Sequence, residues 1–190
     1  MARHRGKPGG RRTLLLIVAT GLAPIVASYA AYYWFTPSGR LNYGELLETA
    51  PAPIVAGTNA DGKAFSLTDL RGKWVLLIAS RGVCGDDCAR ALYATRQART
   101  IQGREQDRVV RLLLQPLAAP ALPQELAAAH PGLVIVSIDQ RALEQLPFGA
   151  NAGVLLLDPR GNLVLRYGPD PDIRGLANDL QRVLKASQIG

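Results

Sequence analysis

The sequence predicts an α/β domain, a mixed sheet covered by helices on both faces, preceded by one N-terminal transmembrane helix. Three observations lead there. Thr13 to Phe35 is an uncharged run of 23 residues, long enough to cross ~30 Å of hydrocarbon with some tilt. Beyond it, strand-length apolar runs alternate with helix-length stretches, the pattern of a sheet built with crossover helices. The only two cysteines, Cys84 and Cys88, stand directly after one of those apolar runs and at the head of a helical stretch.

The N-terminal arm carries Arg3, Arg5, Lys7, Arg11 and Arg12 and no acid. By the positive-inside rule it stays in the cytoplasm, which places the rest of the chain on the periplasmic side of the inner membrane. Pro24 kinks such a helix without forbidding it, and Tyr29, Tyr32, Tyr33 and Trp34 crowd its far end, as an interfacial belt does. The same run also reads as a cleaved signal peptide, with Ser28-Tyr29-Ala30 as its small-x-small site. Its length and aromatic end favour an uncleaved anchor. The sequence thus divides into a basic arm (1–12), an anchor (13–35), a linker (36–52) and a folded domain (53–190).

The formal charge of +7 belongs mostly to the arm, since residues 13–190 hold 17 basic against 15 acidic side chains. No basic face remains for nucleic acid, and none is expected as a partner.

In the exported part, residues 36–53 form a lead-in segment, with a short helical turn at Leu41–Leu47. Asn59-Ala60-Asp61-Gly62 is a turn between extended pieces at 53–57 and 63–66. A helical turn at Thr68–Gly72 leads into a buried strand at 73–80 and a helix at about 86–102. Strands follow at 109–114 and 133–138, separated by a helix at Pro120–Ala129 that stops at Pro131-Gly132. After a short helix at Gln140–Leu146, Val154–Leu157 and Leu163–Tyr167 flank Asp158-Pro159-Arg160-Gly161-Asn162, a hairpin signal. An amphipathic helix at Asp172–Ala186 closes the chain, with Ile173, Leu176, Leu180, Val183 and Leu184 on one face. With a dithiol at the end of the first long strand, this order describes a thioredoxin-like fold.

Two thiols one helical turn apart can close a disulfide or hold a soft metal. A disulfide enclosing three residues restrains the unfolded chain little, which favours a redox or metal pair over a staple. For exchange, Cys84 is the attacking sulfur and Cys88, a turn deeper, resolves the mixed disulfide. The helix N-terminus and Arg81 or Arg90 favour the Cys84 thiolate; Asp86 and Asp87 oppose it. Those acids also complement the helix dipole.

From Gly72-Lys73-Trp74 through Cys84-Gly85-Asp86-Asp87-Cys88-Ala89 the chain resembles the Sco/SenC family. These are membrane-anchored thioredoxin-fold proteins that help assemble the copper centre of cytochrome c oxidase. The likeness continues through Asp61-Gly62-Lys63, Phe65-Ser66-Leu67 and Leu155 to Asn162. It implies an accessory protein of oxidase assembly, acting through Cys84 and Cys88 by Cu(I) handling or by dedicated thiol–disulfide exchange. The implied partner is an oxidase subunit or a copper-assembly factor.

Three positions depart from the pattern. Gly85 and Ala89 replace the prolines that follow each cysteine, and Ala79-Ser80-Arg81-Gly82 replaces a Phe-Gly-Tyr-Thr-like stretch. The copper-binding histidine's place falls at Ala150, with Asn151 beside it. Two thiolates alone still suit Cu(I), which accepts low coordination from sulfur, but make a poor Cu(II) site. The alternatives are therefore Cu(I) on Cys84 and Cys88, or no cofactor at all. A non-catalytic assembly partner with a vestigial or structural cysteine pair also fits these losses. Of the two histidines, His4 lies in the arm, and His130 reads as a surface residue capping a helix end away from the cysteines. No proline stands near Ala152-Gly153, where thioredoxins place one against the dithiol, so a broad-substrate reductase is not expected.

Overall fold

The structure, a computed structural model, describes residues 10–34, 42–148 and 153–187. The chain divides into two units, one up to Arg40 and one from Leu41 onward. The first is helix α1 (Gly10–Trp34), which runs unbroken through Pro24 and is long and apolar enough to cross a membrane. It begins three residues before the uncharged run, taking in Arg11 and Arg12. Leu14, Ile17, Ile25 and Val26 are all exposed along its sides, as lipid-facing residues would be. Tyr33 stacks on Tyr29 and meets Tyr32 edge-on.

The second unit is organised around one strand. Trp74–Ala79 is apolar at every position and buried at every position, so it must be sandwiched on both faces. The strands in chain order are β1 (Glu45–Pro51), β2 (Ala56–Asn59), β3 (Ala64–Ser66), β4 (Trp74–Ala79), β5 (Val109–Pro116), β6 (Leu133–Ile138), β7 (Val154–Leu157) and β8 (Asn162–Tyr167). They form one mixed sheet in the order β1-β8-β7-β4-β5-β6-β2-β3. Strand β4 pairs parallel with β5 and antiparallel with β7, which puts it near the centre.

Alternation along β4 divides the core. Trp74, Leu76 and Ile78 point to the face covered by α2 (Asp86–Ile101) and α5 (Ile173–Ala186), where they meet Leu92, Leu176 and Leu180. Val75, Leu77 and Ala79 point the other way, towards Leu143, Leu146 and Phe148 around the short helix α4 (Gln140–Glu144). The remaining short helix, α3 (Gln124–Ala128), joins β5 to β6. It is shorter than expected because Pro123 stands at its N-cap, with no helical residue before it.

The predicted hairpin is present: the Asp158 carboxylate accepts from the backbone N–H of Arg160 and Asn162, and Gly161 takes φ 89°. One expectation fails. Of the stretch Leu41–Leu47, the described residues 42–47 hold no helical turn; Glu45–Pro51 is instead the edge strand β1, antiparallel to β8. The free edge of β8 offers unpaired backbone groups that outweigh a marginal local helix preference. Arg166 on β8 pins the register by reaching the Glu45 carboxylate at 2.7 Å.

Candidate functional site

Strand β4 ends at Ala79, and the six residues that follow turn the chain into α2. Ser80 shapes the turn: its N–H donates to the Leu114 carbonyl and its hydroxyl to the Gly82 carbonyl. Gly85 is the N-cap of α2 without a side-chain cap, so Asp86 and Asp87 in the first turn complement the exposed N–H groups electrostatically.

Cys84 and Cys88 are joined in a disulfide, their Cα atoms 5.2 Å apart. Cys88 is buried in the core cluster that holds Ile78, Ala91 and Leu92, whereas Cys84 is half-buried and packs against that cluster. By residue, Cys84 is thus the more exposed of the two. An open cleft of about 430 Å³ lies beside the turn, lined by Ser80, Arg81, Val83, Asp86 and Arg90, and Cys88 is the member of the pair that lines it. The Arg90 charge is engaged by two carboxylates. Its guanidinium pairs with Asp87 on the same helix and with Asp170, 3.5 Å away, in the segment between β8 and α5.

His130 is a correction. It is 5% exposed, not a surface cap, and its Nδ1 lies 3.4 Å from the buried Arg111 guanidinium, which also donates to the Pro131 carbonyl. Arg111 opposes Leu133 at the start of β6, the strand end away from the dithiol. Burial, then the charges of Arg111 and Arg96, push the imidazole below its usual value, so it is held neutral. Burial, then Arg99 and Arg96, lower Arg111 itself to about 10. A buried arginine needs acceptors, and a neutral imidazole supplies one. Because the unfolded chain protonates this histidine more readily, stability is full above pH ~6.5 and falls as pH drops towards the lower folded value. Thermal melts of the full chain in detergent at pH 7.5 and 5 should show that loss, and His130→Gln should flatten it.

Ala150 and Asn151, where the family histidine would stand, lie outside the described residues, as do His4 and Ala152. At the neighbouring Gly153, an added Cβ would stand 2.2 Å from the Tyr167 carbonyl oxygen, so β8 leaves no room for a side chain there. Among the described residues no cluster of three or more His, Cys, Asp or Glu side chains is placed to hold a metal. Once reduced, the cysteine pair would supply two thiolate donors.

A half-buried cysteine bonded to a buried one, at a strand-to-helix turn beside an open cleft, defines a thioredoxin-like protein with a CxxxC pair. Residues 74–187 match the family described as transmembrane-like, thioredoxin-like, C-terminal domain, and the chain belongs to that family. No curated protein matches it in sequence. Among solved structures, Thermus thermophilus apo Sco1 is 22% identical with a TM-score of 0.63, covering 77% of this chain and 99% of that one. Bradyrhizobium japonicum ScoI with copper bound is 21% identical with a TM-score of 0.55, covering 70% and 99%. The thioredoxin domain of a thiol-disulfide oxidoreductase from Bacteroides vulgatus is 19% identical with a TM-score of 0.56, covering 73% and 99%. At these identities the shared property is the fold, and it is the fold that the Sco/SenC resemblance implied.

The site has a second part that the sequence reading did not identify. Beside the cleft runs a groove of about 690 Å³ between α2 and the segment 170–173, with Tyr43 and Tyr93 as walls. Arg90 lines both cavities.

Proposed function

We propose that the chain is a membrane-anchored accessory protein of cytochrome c oxidase assembly, of Sco/SenC type, whose Cys84–Cys88 pair performs dedicated thiol–disulfide exchange. The observation that carries this reading is the asymmetric disulfide, half-buried at Cys84 and buried at Cys88, beside an open cleft that Cys88 lines. A client thiolate attacks Cys84 Sγ, the sulfur of the less buried cysteine. The S–S bond breaks, and Cys88 leaves as a thiolate that takes up a proton. A second client thiol attacks the client's own sulfur in the mixed disulfide and expels Cys84. The client loses two electrons and two protons, and the pair gains them.

In this reading residues 1–12 are cytoplasmic and 13–35 span the inner membrane; the folded unit, which takes in β1 from the stretch 36–52 read as a linker, works in the periplasm. The client is an oxidase subunit or a copper-assembly factor. A second reading is favoured by the copper-bound Sco structures that share the fold. In it the reduced pair carries Cu(I) as cargo, and two thiolates suffice for so soft an ion.

Acid-quenching cells and alkylating their thiols tests the exchange reading: both oxidised and reduced forms of the pair are expected. Competing the reduced full chain, in detergent, against a calibrated Cu(I) chelator tests the cargo reading, with Cys84→Ala as control. A pair that is always oxidised, no Cu(I) binding beyond the control, and full rescue of oxidase assembly by the double Cys→Ser variant would overturn both. That result would leave a non-catalytic assembly partner.

A further inference from the structure

The groove beside the dithiol cleft is built rather than incidental. Tyr43 is held from two sides: its ring stacks on Tyr167 with centroids 6.0 Å apart, and its hydroxyl accepts from the Asp172 N–H at 2.8 Å. Tyr93, half exposed on α2, stands under the Arg96 guanidinium, 5.4 Å from the ring centroid. Ala89 and Ala94 between them leave the floor open. Two fixed aromatic walls over a small-residue floor are a preformed apolar slot, which costs a ligand little ordering on binding.

Charge selects the occupant. Residues 13–190 are nearly balanced in charge, and the two cavities together are lined by Asp86, Asp87, Asp170 and Asp172 against Arg81 and Arg90, with Arg96 standing over the Tyr93 wall. Arg90 is shared between Asp87 and Asp170, and Asp86 has no ion pair among the described residues. A surplus of carboxylates stands beside the cysteine pair on a domain of nearly balanced charge, so a cationic partner is drawn to this face and an anionic one is repelled.

We infer that cleft and groove together dock an extended, cysteine-bearing segment of the client protein. A lysine or arginine beside the cysteine faces Asp86 and Asp170, and an aromatic or aliphatic residue a few positions away fills the slot between Tyr43 and Tyr93. The inference rests on the exchange reading for the cysteine and adds what the client must look like around it.

The test uses the full chain, oxidised, in an uncharged detergent. Three peptides serve as thiols: a cysteine flanked by lysines with a phenylalanine three positions on, its glutamate-flanked counterpart, and one with glycine for phenylalanine. A serine-for-cysteine version of the first reports docking without chemistry, by fluorescence anisotropy. Each thiol peptide reduces the Cys84–Cys88 disulfide, two peptide thiols leaving as one peptide disulfide. Its rate is divided by its rate with bis(2-hydroxyethyl) disulfide, which removes the peptide's own reactivity.

The lysine–phenylalanine peptide should be faster than the glutamate peptide by roughly tenfold at low salt, shrinking to about twofold in 0.5 M salt as screening sets in. Asp86→Asn with Asp170→Asn should remove most of that ratio, and Tyr93→Ala the preference for phenylalanine over glycine. All three side chains are exposed, so the fold survives their replacement. Equal normalised rates, or ratios unchanged in the variants, overturn the docking inference and leave exchange standing. Charge-selective binding of the serine peptide with no disulfide reduction upholds docking and overturns exchange. Loss of peptide binding as the protein concentration rises would assign the groove to a second copy of the chain and overturn the inference.

Discussion

Cys84→Ser abolishes disulfide exchange, by on the order of a thousandfold or more, the scale on which loss of a nucleophile acts. Cys88→Ser behaves differently. Cys84 is then the one thiol in the chain and still reaches a client's disulfide, because it is the less buried of the two cysteines. It breaks that bond and releases the client's other sulfur as a thiolate, and the reaction stops at the mixed disulfide because no resolving thiol remains. Non-reducing gels of the two variants incubated with an oxidised lysine-flanked peptide check this: an adduct should accumulate for Cys88→Ser and be absent for Cys84→Ser. Equal adducts from both would mean that the Cys88 sulfur opens to solvent as readily as the Cys84 sulfur. The division of labour proposed for the pair would then be lost. Stability is a separate readout and moves little, since the disulfide closes a loop of only three intervening residues.

The position of that pair was legible because every part of its signal is local. Trp74 to Ala79 is continuously apolar, the helix from Asp86 follows within a few residues, and the thiols sit at the junction. The same holds for the β7–β8 hairpin, whose turn chemistry is complete within Asp158 to Asn162. What stayed hidden depends on partners far away in sequence. Strand β1 exists because β8, some 120 residues on, offers it an edge. His130 looks like a turn residue before Pro131-Gly132, and only an inward-pointing Arg111 on β5 explains its burial. The groove is assembled from Tyr43, from α2 and from the 170–173 segment, none of which carries a motif. Asp179 is the clearest case. In the sequence it is one acid on an amphipathic helix; in the fold it is 1% exposed.

Asp179→Ala should destabilise the domain by about 3–4 kcal/mol, since backbone hydrogen bonds to a charged group are worth ~1.5–3 kcal/mol each and their donors would be left buried. The carboxylate accepts from the N–H groups of Tyr43, at 3.1 Å, and Gly44, at 2.8 Å, and from the Tyr167 hydroxyl at 3.4 Å. Burial, then the charge of Asp179, its hydrogen bond and Tyr43, keep that phenol protonated far above the usual range, so it remains a donor. Arg182, 3.8 Å away and exposed, is a weak ion partner and cannot replace these contacts. Asparagine would not rescue the site, because its amide nitrogen would face donors. The fit around the clamp is close: a Cβ on Gly175 would strike the Tyr43 ring at 2.4 Å, and one on Gly44 the Tyr167 ring at 2.5 Å. Denaturant unfolding of the full chain in detergent measures the loss, and hydrogen exchange locates it. Glu45–Pro51 should exchange first, since β1 is an edge strand whose leading residues the clamp holds. A loss under about 1 kcal/mol would mean that water replaces the carboxylate without cost. Tyr43 is both clamped by Asp179 and a wall of the groove. The same substitution should therefore weaken the preference for phenylalanine-bearing peptides while leaving the reactivity of Cys84 towards small disulfides intact, which separates the docking wall from the chemistry of the sulfurs.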